Sequence, residues 1–130
     1  MKQEQSKDKD FKIIVKAEEL CEHTFRLTSN CNRFPKKYRF TLCDKMQTKA
    51  MNVYENVFDA NSTRLSDLRL RNELQSKAIA ECTKLCFYIR MCMDLEIIDS
   101  KSAEYWSALV SDIKFMTIAW RSADKNSQHR

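Results

Sequence analysis

Not one glycine occurs in the 130 residues of this chain, and only one proline, Pro35. Tight turns between strands draw on glycine because it reaches positive φ without a Cβ clash. A chain without it is a poor candidate for hairpin-linked sheets. The same absence removes glycine-rich phosphate loops and dinucleotide folds, whose backbone must approach the ligand closely. Helices remain, and the length suits one domain with a modest core.

Apolar periodicity predicts four helices. The first runs from about Asp10 to Ser29 with Phe11, Ile14, Cys21 and Phe25 on its stripe, widened by Val15, Ala17 and Leu20, and with Asp8 or Asp10 as its cap. A connection from Asn30 to Phe40 follows. Its Pro35 pushes Phe34 out of the α region, and Phe34, Tyr38 and Phe40 suit it to plugging a bundle end. The second helix starts near Thr41, where Thr41 and Asp44 resemble a capping box. Its stripe is Leu42, Met46, Ala50, Val53, Val57 and Ala60, and it breaks at Asn61-Ser62-Thr63.

The third helix spans about Leu65 to Glu96. Leu68, Ala78, Cys82, Leu85, Ile89 and Cys92 form its core face, and Asp67–Arg71 and Glu73–Lys77 are surface pairs one turn apart. After a turn at Ile97–Ser100, capped by Asp99 or Ser100, the fourth helix runs to about Ala123. It carries Ala103, Trp106, Val110, Ile113, Thr117 and Trp120 on one stripe. Residues 1–9 read as a disordered lead-in, 10–123 as the domain and 124–130 as a flexible tail. Short connections favour an antiparallel up-down-up-down four-helix bundle. Apolar residues beyond the stripes (Ile13, Leu27, Met51, Phe58, Phe87, Tyr88 and Met91) suggest subunit contacts.

The net charge of +5 is concentrated in one place. Residues 31–50 carry Arg33, Lys36, Lys37, Arg39, Lys45 and Lys49 against Asp44 alone, and the 17 basic and 17 acidic residues elsewhere cancel. A local patch of this kind favours a polyanionic partner. Lys36, Lys37 and Arg39 interleave with aromatic residues, and Lys45 and Lys49 continue the patch one turn apart along the second helix. The competing reading is a solvated loop with lysines that serve solubility.

Chemistry finds little foothold. Cys82 and Cys86 share a helix face, yet no second pair completes a metal site: His23 stands alone, and His129 lies in the tail. Six cysteines without an export signal read as buried reduced thiols. Carboxylates lie at surface spacing beside Lys or Arg, and neither histidine has a nucleophile or orienting carboxylate placed by sequence. The chain therefore reads as a non-enzyme without cofactor or metal. The polar start, Met1–Asp10, has no apolar export core, and no stretch is long enough to span a bilayer. A cytoplasmic location without membrane contact is the expectation.

Three stretches resemble one family. They are Phe34-Pro35-Lys36-Lys37-Tyr38-Arg39-Phe40-Thr41-Leu42, then Lys84-Leu85-Cys86-Phe87-Tyr88-Ile89-Arg90-Met91-Cys92, and the segment from Tyr105 to Trp120-Arg121-Ser122. Together, over about Phe11 to Asp124, they look like the four-helix-bundle family of the accessory variability determinant (Avd) of diversity-generating retroelements. The intervening-sequence proteins of bacterial large-subunit rRNA genes are similar. The resemblance implies a barrel-like homopentamer that binds RNA or DNA and accompanies a reverse transcriptase. It adds Lys84, Arg90 and Arg121 to Lys36, Lys37, Arg39, Lys45 and Lys49 as nucleic-acid-binding residues. The intervening-sequence branch implies instead a structural homo-oligomer whose basic loop meets an acidic protein. Two positions depart from the family: Cys86 replaces a common basic residue, and Ile118-Ala119 replaces a Gly-Gly pair. The first weakens the helix-3 contribution to binding, and the second bears on how closely helix 4 packs against a neighbour.

Overall fold

A computed structural model describes residues 2–128, and the side chains of residues 12–127. Among the described residues the chain is entirely helical, with α1 (Lys2–Thr28), α2 (Asp44–Ser62), α3 (Leu68–Asp94) and α4 (Ser100–Gln128) and no strand. α2 packs on α1 and α3, and α4 packs on α3 and α1, enclosing one core. No described helix is long and apolar enough to cross a membrane.

The stripes expected on α2 and α4 are the ones buried. Met46, Ala50, Val53 and Val57 are fully enclosed, as are Trp106, Val110 and Ile113, with Trp120 close behind. Each of the larger aliphatic side chains among them taken from water contributes about 1.5–3 kcal/mol, and Ala50 less. The first helix departs from expectation. Its innermost face is Ile13, Ala17, Leu20, Thr24 and Thr28, while Phe25 is exposed and Ile14 and Cys21 are half-buried. Two threonines take core places because their hydroxyls are satisfied. Trp106 Nε1 donates to Thr24 Oγ1 at 3.1 Å, Thr28 donates to the Thr24 carbonyl at 2.7 Å, and Gln47 Nε2 donates to Thr28 Oγ1 at 2.8 Å. α1 also starts at Lys2, upstream of the expected Asp10. The added segment holds Lys, Gln and Glu, all good helix formers, and no breaker. Phe11 and the candidate caps Asp8 and Asp10 lie outside the described side chains.

The expected capping box at Thr41 does not form. A 3₁₀ turn, Lys36–Tyr38, passes into a single π turn, Arg39–Cys43, that feeds α2 with the backbone already helical, so no cap is required. Phe34 plugs the core edge-on to Trp106 at 6.5 Å, Tyr38 is half-buried, and Phe40 points outward. The cap of α4 is Asp99, whose Oδ1 accepts from the Ser102 amide at 2.7 Å.

The chain solves its lack of glycine where α3 ends. Glu96 adopts φ 61°, the Ile97 amide donates to the Cys92 carbonyl, and the Glu96 amide donates to that of Met93. This pairing closes a Schellman turn with a residue that costs about 1–2 kcal/mol more there than glycine.

α4 runs past the expected end at Ala123 to Gln128 because Asp124, placed by sequence in a flexible tail, is buried. It receives Arg71 and Gln75 from α3, and Arg71, expected as a surface partner of Asp67, is only 9% exposed. His129 lies outside the described residues.

Candidate nucleic-acid interface

The basic segment sits where α1 gives way to α2. Lys36 and Lys37 occupy the 3₁₀ turn and Arg39 opens the π turn, all three exposed. Lys37 Nζ lies 5.1 Å from the Tyr38 ring centroid, a cation–π contact that holds the ammonium at the surface. Lys36 and Arg39 line a cavity of about 280 Å³ together with Thr28, Cys31, Asp44 and Gln47. Asp44 also lines a second hollow of about 230 Å³, with Lys45, Thr48, Lys49 and Tyr88. The shared wall makes one basic strip of Lys36, Arg39, Lys45 and Lys49, from the loop into the α2–α3 groove.

Lys84 joins that groove through an acid. Glu81, 8% exposed, pairs with Lys49 Nζ at 3.3 Å and Lys84 Nζ at 3.4 Å, and accepts from Asn52 Nδ2 at 2.9 Å. Burial alone raises the Glu81 carboxyl. The hydrogen bonds from Asn52 and Lys49, with the charges of Lys49 and Lys84, outweigh it and hold the group below the usual carboxylate range. Its pairing therefore stabilises the fold above the unfolded carboxylate value and is lost as pH falls through the depressed one.

Two of the groove's three lysines, Lys49 and Lys84, are thus already engaged. Glu81→Gln keeps the shape and removes the competing anion. It is expected to tighten nucleic-acid binding about fivefold, the effect of freeing roughly 1 kcal/mol of ion pairing. Unchanged or weaker binding in a titration would remove Lys49 and Lys84 from the interface.

The other family-suggested cations are not gathered in. Arg90 is exposed on α3 with its guanidinium 5.7 Å from the Phe87 ring centroid. Arg121 donates to Ser76 Oγ at 3.0 Å, beside the Arg71–Asp124 pair and away from the loop.

Sequence reasoning missed Glu81 and Tyr88 in the groove, while the polar stripe of Lys45, Lys49, Asn52 and Asn56 on the second helix placed Asn52 beside the lysines. Only the helical register of α3, which sets Glu81 next to the buried Cys82, hinted at the acid. It also left Arg33 out of the site, though Arg33 Nη1 donates to Ser102 Oγ at 3.1 Å across to α4.

All six cysteines are free. Burial pushes the thiols of Cys82 and Cys92 up to about 12 and that of Cys21 to about 11, so these remain protonated and poor nucleophiles at neutral pH. Among the described residues no group of three or more His, Cys, Asp or Glu is arranged to hold a metal ion.

The fold and strip together define a helical-bundle protein with a basic loop end. No family model, curated protein or solved structure matches the chain.

Proposed function

We propose that this chain is a non-catalytic nucleic-acid-binding accessory protein of a diversity-generating retroelement, working beside a reverse transcriptase as a homopentamer. The observation that carries the binding role is the basic strip: Lys36 and Arg39 on one cavity, Lys45 and Lys49 on the next, and Lys37 exposed between. These cations neutralise phosphates and release counterions, which gives affinity without reading sequence. No bond is made or broken by the chain; it positions RNA or DNA for the polymerase.

The retroelement and polymerase roles rest on the resemblance carried by residues 34–42, 84–92 and 105–122. An antiparallel up-down-up-down arrangement is supported by contacts that pair the start of one helix with the end of a neighbouring one. Met46 of α2 meets Cys92 of α3, Arg71 of α3 meets Asp124 of α4, and Trp106 of α4 meets Thr24 of α1. Self-association is supported by Met51, Phe58, Phe87 and Phe115, all large and exposed.

The test is binding to labelled RNA and DNA between about 50 and 200 mM salt. Five phosphate contacts predict a log–log slope of about −3.5 on single strands and about −4.5 on duplex DNA. No binding at low salt, or a flat slope, discards the reading.

One observation favours a second reading, a structural homo-oligomer whose basic loop meets an acidic protein. Glu81 already demonstrates carboxylate recognition by Lys49 and Lys84. Salt-sensitive association with an acidic protein, and none with nucleic acid, would select it.

A further inference from the structure

Beside the basic strip, on the α1–α4 side of the loop, lies a separate cleft of about 530 Å³. His23, Asn30, Arg33, Asp99, Lys101 and Tyr105 line it. That volume accommodates a nucleotide-sized ligand. Its lining joins a bare aromatic ring, two cations and a carboxylate.

The ring is Tyr105, 60% exposed on the first turns of α4. His23 meets it at 61° with ring centroids 5.0 Å apart, an edge contact that leaves a face of the tyrosine open. His23 also meets the buried Trp106 edge-on, with ring centroids 6.0 Å apart, and its Nε2 is enclosed away from solvent. Burial, with the Arg26 charge, lowers the ring's affinity for a proton, so His23 backs Tyr105 as a neutral ring. Arg33, steadied by Ser102, and Lys101 set positive charge at the rim. Asp99, already the cap of α4, adds one carboxylate within reach of their charge; it has lone pairs left to accept from a base amino group or a sugar hydroxyl and is a deterrent to a second phosphate.

We infer that this cleft takes one unpaired nucleotide of a single strand, its base stacked on Tyr105 and its phosphate between Arg33 and Lys101. The inference rests on the nucleic-acid reading above and deepens it. The basic strip holds any polyanion, whereas the cleft prefers a base free to leave the stack. A duplex keeps its bases paired and reaches only the strip.

The test compares a single-stranded oligonucleotide with the blunt duplex of the same sequence on wild type, Tyr105→Ala and Tyr105→Phe, each as RNA and as DNA. Stacking on one aromatic predicts about a 5- to 100-fold loss of single-strand affinity in Tyr105→Ala, recovery in Tyr105→Phe, and duplex binding unchanged throughout. Tyr105 is exposed, so the helical content and melting of the variants should match wild type. A measurement on the wild type alone backs this up: photocrosslinking of a 5-bromouracil-substituted strand should map to the peptide bearing Tyr105. RNA preference would assign Asp99 to the ribose 2′-hydroxyl, and equal binding would assign recognition to base and phosphate; both support the cleft. Equal loss on single and double strands, no loss in Tyr105→Ala, or crosslinks confined to other peptides overturns it while leaving the strip intact. A wild type that binds neither form overturns the strip and the cleft together.

Discussion

Asp124→Ala is expected to lower the unfolding free energy by about 3–5 kcal/mol, a large share of the roughly 5–15 kcal/mol that holds a domain of this size together. Arg71 Nε donates to Asp124 Oδ2 at 2.7 Å and Nη2 donates to Oδ1 at 3.3 Å, a two-pronged pair. Gln75 Nε2 donates to Oδ2 at 2.7 Å, Arg71 Nη1 donates to the Thr63 carbonyl at 3.1 Å, and the guanidinium lies 5.0 Å from the Trp120 ring centroid. Both charged side chains are about nine-tenths buried. Without the carboxylate a guanidinium is left in low dielectric with its main partner gone, and that penalty, more than the lost attraction, sets the magnitude.

Arg71→Ala should cost a similar amount, and the double variant less than the sum of the two. Arg71→Met with Asp124→Leu should recover most of the loss, because a packed apolar pair avoids the desolvation of both charges. Urea midpoints at fixed slope measure all four. Single losses below about 1 kcal/mol would mean that water reaches the pair and that α4 is not anchored through it.

This clamp has no local signature in the sequence. The α2 and α4 stripes are legible because every inward position up to Trp120 is apolar or small, apart from Thr117; Asp124 beyond it is not. On α3 the same register runs back through Gln75 to Arg71, but polar residues there gave an apolar count nothing to register. Their partner lies 53 positions away in the case of Arg71, so no local pattern joins them. The error on α1 has the same cause. Phe25 falls on the apolar spacing with Phe11, Ile14 and Cys21, while Thr24 and Thr28 hold the inward positions through bonds to Trp106 and Gln47.

The site divides likewise. The concentration of charge in residues 31–50 was visible in composition. That Glu81 occupies Lys49 across 32 positions was not, nor was the cleft that the α1–α2 connection forms with α4. Phe40, grouped by sequence with the plugging aromatics, is 77% exposed. The π turn that begins at Arg39 turns it away from the core that Phe34 fills.

Reversing Lys36, Lys37 and Arg39 together to glutamate should weaken nucleic-acid binding about 10²- to 10³-fold near 0.1 M salt and make the salt slope shallower by about 2–3. The change takes the net charge from +5 to −1 (three reversals of two units each) and leaves the core untouched, since all three side chains are exposed. Stability should therefore move by only a few tenths of a kcal/mol per site. Loss of affinity with a wild-type melting curve would then report the interface alone. The loss should be alike for unrelated sequences, because phosphate contacts carry no base information. Arg121→Glu supplies the contrast. It changes charge by the same two units per site but stands beside Ser76 and the Arg71–Asp124 clamp, so its effect should not exceed a few-fold. If the triple variant binds as wild type does, the basic loop is not the phosphate-binding surface. If Arg121→Glu alone matches the triple loss, the binding surface is not confined to the loop and strip but extends to the α3–α4 face that the resemblance suggested.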